Sequence, residues 1–466
     1  MSTIINAISS FLYSKLLVIM LIGTGLYFTV RARFPQLRLF RSACKAVMEK
    51  PEDDQSVSSF QALMVSTASR VGTGNIVGVS SAICIGGFGA VFWMWIIAIV
   101  GSASAFVEST LAQIYKKKGE DGRCYGGPAY YIEAALHSRP LAIAFCIAMI
   151  LTYAFGFNML ASYNLQSTFS GFSFYNPSVS PWIIGGILAG VTGWCLLGGG
   201  SRIVKVTSTL VPVMGIAYIA VALLVVILNI ANIPMVFATI FREAFDFRAI
   251  FGAFAGSALM QGIRRGLYSN EAGIGSAPNA AASAHVSHPV KQGLVQMLSV
   301  FIDTLLLCTA TAMMCMSSGI EPSAELQGAP WVQASLQASL GSFGPVFITV
   351  SMVLFAFTTL LGNCFYCDNL LTYIHKEQPG KRFMAGFRLV CAIVVFVGAG
   401  MEMSMLWDIS DVLMGVMALI NIPVILVLSN TAMKAVKDYE KQLKNGGNPV
   451  FRSANIGLKH ATDYWK

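Results

Sequence analysis

Gly72, Thr73, Gly74 and Asn75 stand together inside RVGTGNIVGVSSAI, the stretch from Arg70 to Ile83. Glycine, threonine and asparagine are weak helix formers, yet this run lies within residues 60–86, which are otherwise apolar enough to cross a bilayer. Opening a helix here frees amide N–H groups at the start of the following half and carbonyls at the end of the preceding one. The amides, aided by the helix dipole, suit a carboxylate, and the carbonyls suit a cation. A zwitterionic amino acid accompanied by Na+ needs both. Non-helical backbone at membrane depth is tolerated only where protein or a polar cavity satisfies it. The break therefore marks a candidate site.

The rest of the chain must hold that break in place. Its 466 residues are 55% hydrophobic and only 11% charged, with mean hydropathy +0.67. That is too little charge to cover a soluble surface, so the expected class is an all-α integral membrane protein. A spanning helix takes roughly 20 apolar residues. Eleven candidates satisfy this: 13–30, 60–86, 88–115, 140–170, 181–200, 206–230, 250–267, 292–318, 344–374, 385–406 and 411–434. No small-residue cleavage site follows the first, which reads as a retained helix.

The net charge of +9 reports orientation, not a nucleic-acid partner. Alternate loops and the tail carry 27 basic residues, among them Arg31, Lys116, Arg202, Arg264, Arg265, Lys381 and Lys434 onward, against only Arg242 and Arg248 in the loops between. The basic side is then cytoplasmic, with the N-terminus outside and the C-terminus inside a plasma (inner) membrane. Eight of ten cysteines fall in spans, with no disulfide or metal spacing.

A second anomaly is FGAFAGSALMQGIRRGLYSNEAG, with Gly252, Gly256, Gly262 and Gly266 beside polar Ser257 and Gln261. It lies five spans after the first, so the two start from opposite sides. Interrupted helices in corresponding positions of inverted halves point to a secondary-transporter site. The expected organisation is an extra helix and basic loop in 1–59, two inverted repeats in 60–240 and 241–435, and a basic tail in 436–466.

Six ordered motifs then become informative: GTGNIVGVSSAICIGGFGAVFWMWIIA, FVESTLAQIYKKK, GRCYGGPAYYI, RGLYSNEAGIGSAP, HPVKQGLVQMLSVFIDT and FAFTTLLGN. Together, from Phe60 to Asp368, they resemble the alanine or glycine:cation symporter family. The resemblance implies a LeuT-like five-plus-five inverted repeat and Na+-coupled uptake of a small neutral amino acid. It places the substrate carboxylate at the amides around Gly72, Thr73 and Gly74, with Asn75 near carboxylate or ion. It sets the second break around Phe254 to Ser257, including Gly256, with carbonyls for the ammonium. Na+ would take the carbonyls of Ala68, Val71 and Phe355 and the hydroxyls of Thr358 and Thr359. Thr73 and Thr358 each fall about 20 Å along their spans, near mid-depth.

Two positions depart from the family pattern: Asn363 where many members have Trp, and Ala161 where many have Gln. Both belong to the surroundings of the substrate side chain, so a larger pocket, for a substrate such as glutamine, is the alternative reading. Intramembrane charge is a functional hypothesis by default. Arg70 and Asp303 sit about 15 Å deep from the same side, a depth that permits an ion pair. Glu108 and Asp368 read as interfacial, while Asn270 and Glu271 are candidates for shaping the inner gate.

An enzyme is disfavoured, because all five histidines lie in loops or the tail and no nucleophile–base spacing is visible. GTGNIVG lacks the GK[ST] ending of a phosphate loop, and no ring of carbonyls or like charges marks a channel filter. Expected partners are the amino acid, Na+ as coupling ion and the lipid bilayer. No organic cofactor, nucleic acid or obligatory protein partner is implied. Coupling to H+ in place of Na+ stays open at this stage.

Overall fold

Among the described residues, eight helices are long and apolar enough to cross a membrane. Numbered with the shorter helices that build the site, the set begins with α1 (Val18–Arg31), α2 (Ser59–Arg70), α3 (Val77–Gly86), α4 (Gly89–Ile114), α5 (Arg139–Ser167), α6 (Ser180–Leu197) and α7 (Gly199–Leu228). It continues with α8 (Ala258–Asn270), α9 (Ala277–Ser283), α10 (Pro289–Ser317), α11 (Phe343–His375), α12 (Lys381–Ala399) and α13 (Met403–Val427). These helices belong to a computed structural model that describes residues 2–49, 56–120, 122–246, 256–458, 462 and 464–465.

The first break falls where the sequence places it. A capping box starts α2: the Ser58 hydroxyl accepts from Gln61 N at 3.1 Å, and Ser58 N donates back to Gln61 Oε1 at 2.9 Å. The helix stops at Arg70, a short 3-10 turn covers Thr73–Asn75, and α3 resumes at Val77. Gly72 N–H, which a continuous helix would send to Ala68 O, donates instead to Asn75 Oδ1 at 2.9 Å. One asparagine side chain thus replaces a helical bond and leaves the Ala68 carbonyl without its helical donor.

Part of the stretch where a second break was expected, residues 247–255, lies outside the described residues, and among the described residues a break follows α8. Ser257 caps the start of α8, its hydroxyl accepting from Met260 N at 3.3 Å, and the helix runs unbroken to Asn270. Chain direction changes in residues 271–276, where Glu271, Gly273 and Gly275 have φ of +53°, +85° and +88°, before α9 begins. The density of glycines misled the sequence reading because Gly262 and Gly266 serve packing. A Cβ on Gly266 would meet Ile97 Cγ2 at 2.6 Å, and one on Gly262 would collide with Ala90 O, so these glycines let α8 lie close on α4.

Other expectations shift with it. Arg264 and Arg265 lie inside α8, not in a loop. Glu108 is fully buried rather than interfacial. Residues 13–30 form a π-helical stretch, Leu12–Leu17, followed by α1. Further π-helical stretches interrupt α5 at Leu151–Phe157 and α10 at Phe301–Cys308. The second of these carries Asp303 to the first break. Around that break, α2 packs against α7 and α11, and α3 against α8.

Candidate substrate and ion site

The first break is held from three sides. Asn75 Nδ2 donates to Asp303 Oδ1 at 2.8 Å and lies 3.2 Å from Ser269 Oγ. Ser269 and Thr304 each donate to Asp303 Oδ2, at 2.7 and 2.8 Å. Thr311 Oγ1 donates to Asn75 O at 2.7 Å. Both ends of the Asn75 amide are therefore committed to holding the unwound turn. The Asp303 carboxylate is satisfied by three donors, none of them Arg70.

Arg70 does not make the expected pair with Asp303. Only 2% exposed, it reaches Gln296 Oε1 at 3.5 Å, while its Nε and Nη2 have no hydrogen-bond partner. Asp368, expected at an interface, pairs with Arg388 at 2.8 Å and keeps a partly exposed side chain.

The two candidate ion hydroxyls face different ways. Thr358 Oγ1 donates back along its own helix, 3.0 Å from Leu354 O and 3.2 Å from Phe355 O. Thr359 Oγ1 is buried without a hydrogen-bond partner and occupies the space that a Cβ on Gly72 would take. Consecutive helix residues point about 100° apart, and of the pair it is Thr359 whose hydroxyl meets Gly72 of α2. The released Ala68 carbonyl and Val71 (φ −75°, ψ 84°) end α2 next to Gly72, the residue that the orphan Thr359 hydroxyl meets.

Aromatic rings close the opposite side of the break. The Tyr268 ring lies over Gly74, where a Cβ would come within 2.7 Å of it. Tyr268 meets Trp407 edge-on at 4.7 Å and Phe157 at 4.9 Å. Beyond Trp407, the Arg265 guanidinium sits 3.8 Å from the ring centroid, with its Nη2 3.4 Å from Asp411 Oδ2. Arg265 and Asp411 are both buried. Stack and ion pair together seal the site toward the Ser257 end.

A cavity of about 1370 Å³ enters among the basic loops, lined by Lys118, Arg123 and Lys381, and reaches inward to Asn279, Phe365 and Asn369. At the end of α2, Ser69 Oγ donates to Asn363 Oδ1 at 2.7 Å and lies 3.3 Å from Glu271 Oε1. Ser276 donates to Glu271 Oε2 at 2.7 Å, so Glu271 ties the second break to the end of α2. The freed amides of the second break go to Glu108, from Gly273 N at 3.2 Å and Gly275 N at 3.1 Å, with Asn421 Nδ2 adding a third bond at 2.8 Å.

Gly72, Thr73, Gly74 and Asn75 are thus brought together with Thr359. Asn363 is fully buried and saturated between Ser69 and Asn158, whose Oδ1 it reaches at 2.9 Å, so it links helices and does not line the break. Gly256 and Ser257 lie at the start of α8, about 18 Å along that helix from Ser269. Phe254 lies outside the described residues. The sequence reading missed Asn164, Tyr268, Trp407, Arg265 and Asp411. Of these, Arg265 and Asp411 carried a signal, as charges inside apolar spans.

Paired interrupted helices around a mid-chain polar site, with a cavity at one end, define a membrane transporter of the LeuT fold. The L-phenylalanine complex of MhsT has this fold, with a TM-score of 0.57 over 83% of this chain and 93% of that one at 14% identity. The chain belongs to the sodium:alanine symporter family, whose model matches residues 1–453. It is similar to the amino-acid carrier protein AlsT of Bacillus subtilis (45% identity, 99% of this chain and 97% of the relative). It is also similar to the probable sodium/glutamine symporter GlnT of the same organism (42%, over 99% and 95%). The protein is a transporter and not an enzyme.

Proposed function

We propose that the protein imports a small neutral amino acid such as alanine or glycine by Na+-coupled symport. The observation that carries this reading is the orphan Thr359 hydroxyl against Gly72, at the end of a helix whose last carbonyls have lost their donors. Na+ takes the carbonyls of Ala68, Val71 and Phe355 with the Thr359 hydroxyl, and Thr358 supports the helix turn behind it. The substrate carboxylate takes the amides around Thr73 and Gly74, under the Tyr268 ring.

Two inverted repeats of five spans, preceded by α1, give the chain its eleven spans, with the basic loops cytoplasmic and the N-terminus outside. In that frame the cavity opens inward and the Arg265–Asp411 pair closes the outward path. A glutamine-sized substrate loses its main support, because Asn363 is spent on Ser69 and Asn158 instead of lining the pocket. One charge crossing 100 mV contributes about 2.3 kcal/mol, so uptake follows membrane potential as well as the ion gradient. The test is uptake of labelled alanine into proteoliposomes with Na+ or choline outside at fixed pH. Equal uptake in the two media rejects Na+ coupling and moves the reading to H+.

A further inference from the structure

We infer that Asn164, near the end of α5, is a substrate-binding residue whose side-chain oxygen receives the α-ammonium group of the amino acid. The inference rests on the transport reading above. It names a contact that neither the sequence motifs nor the first break itself supplies.

Asn164 is fully buried, and its Nδ2 donates to the Thr73 hydroxyl at 3.0 Å. That bond fixes the amide against the unwound turn. Its Oδ1 is buried with no partner. A buried carbonyl oxygen left without a donor typically costs 1–3 kcal/mol, and buried polar atoms in native proteins are nearly always paired. Its place is beside the first break, where the amides around Thr73 and Gly74 suit a carboxylate.

The neighbouring residues explain why the oxygen is left for a ligand. Asn158, six residues earlier on the same helix, has both ends of its amide engaged, with Asn363 and with Ala154 O. Ala161, one turn before Asn164, is a small buried residue and sends no polar atom toward it. Tyr268 presents its ring to Gly74, with Phe157 and Trp407 packed against that ring. Asn164 therefore supplies an unengaged acceptor beside the unwound turn.

An ammonium buried beside aromatic rings needs hydrogen-bond acceptors with a free lone pair. An amide oxygen is such a group, and it adds no charge to the membrane interior. The carboxylate at Thr73 and the ammonium at Asn164 would then be read by residues bonded to one another. Every neutral amino acid carries this ammonium, so the contact selects amino acids as a class and not one side chain.

The test measures half-saturating alanine, glycine and serine concentrations at saturating Na+ for the purified protein and for Asn164→Leu, Asn164→Ala and Asn164→Asp, each checked for a single gel-filtration peak. Leucine matches the shape and removes both polar atoms, whereas aspartate keeps an acceptor oxygen. We expect Asn164→Leu and Asn164→Ala to raise all three values tenfold or more, equally across the substrates, and Asn164→Asp to recover most of the loss. Three results overturn the inference: unchanged values in the leucine and alanine variants, an aspartate variant as impaired as the leucine one, or a loss confined to serine. Failure of the parent protein to bind any of the three substrates overturns the transport reading as well.

Discussion

The Thr359 hydroxyl of α11 fills the space that a side chain on Gly72 of α2 would need. The two helices approach so closely here that only glycine fits, and the oxygen meeting that glycine has no other partner. Thr358, its neighbour in sequence, is bonded to Leu354 and Phe355 carbonyls. Valine replaces threonine without changing shape, so it isolates the hydroxyl. A hydrogen-bond-grade contact to a charge contributes roughly 1.5–3 kcal/mol, which is about tenfold or more in affinity. Thr359→Val should raise the half-saturating Na+ concentration by about that factor, and Thr358→Val should leave it within roughly threefold. Na+ titration of alanine uptake decides between them, and equal effects would return both hydroxyls to the same role.

Glu108 holds the second break by accepting from Gly273 N, Gly275 N and Asn421 Nδ2. Glutamine keeps the size but turns one acceptor into a donor. That donor then faces an amide N–H in a buried place, a mismatch worth about 1–3 kcal/mol. Glu108→Gln should lower the thermal midpoint in detergent and slow uptake, while a glutamine introduced at the exposed Glu377 should do neither. Unchanged melting in Glu108→Gln would mean that the loop does not depend on the carboxylate.

The contrast between the two breaks shows what the sequence can and cannot tell. The first was legible because its cause is local: Gly72 to Asn75 supply weak helix formers and the asparagine that replaces the lost bond. The break after α8 was not legible because glycine has two uses. Gly262 and Gly266 permit close packing on α4, whereas Gly273 and Gly275 adopt left-handed backbone, and composition does not separate these roles. The direction of a side chain was equally hidden. Thr358 and Thr359 look alike in sequence, and Asn363 reads as a pocket residue until Ser69 and Asn158 are seen on either side of it. Eight of the expected spans stand as helices long and apolar enough to cross a membrane among the described residues, because hydropathy over twenty residues does not depend on where any one side chain points.

Arg265 is buried against Trp407 and paired with Asp411, and Arg264 Nε lies 3.9 Å from the same carboxylate. Removing this acid takes away the buried carboxylate that both arginines approach. Breaking a buried pair from one side typically costs 3–5 kcal/mol. Asp411→Asn should therefore sharply lower the thermal midpoint, and a cysteine placed at Gly78, which faces Trp407, should become reactive to a membrane-impermeant maleimide in that background. Continued protection of that cysteine would show that the aromatic stack closes this path without the ion pair.

The last prediction concerns pH and the entry to α10. His288 caps this helix through its ring: Nδ1 accepts from Val290 N at 3.2 Å, and Nε2 faces Asp438 Oδ2 at 3.3 Å. An accepting Nδ1 must be unprotonated. Burial, together with the neighbouring Lys291, lowers the His288 pKa from 6.5 to about 3. The sign follows from proton counts. Between about pH 3 and 6.5 the unfolded chain binds a proton here and the folded one does not, so stability is full above 6.5 and falls as pH drops below it. The slope is about 1.4 kcal/mol per pH unit for one such group. An asparagine side chain in this place would still accept from Val290 N but cannot titrate, so His288→Asn should remove this component. Thermal midpoints of parent and variant should run parallel from pH 8 to 7 and diverge from 6.5 to 5, with the parent losing more. Parallel curves over that lower interval would mean that His288 is protonated in the folded protein and that Asp438 holds the charge.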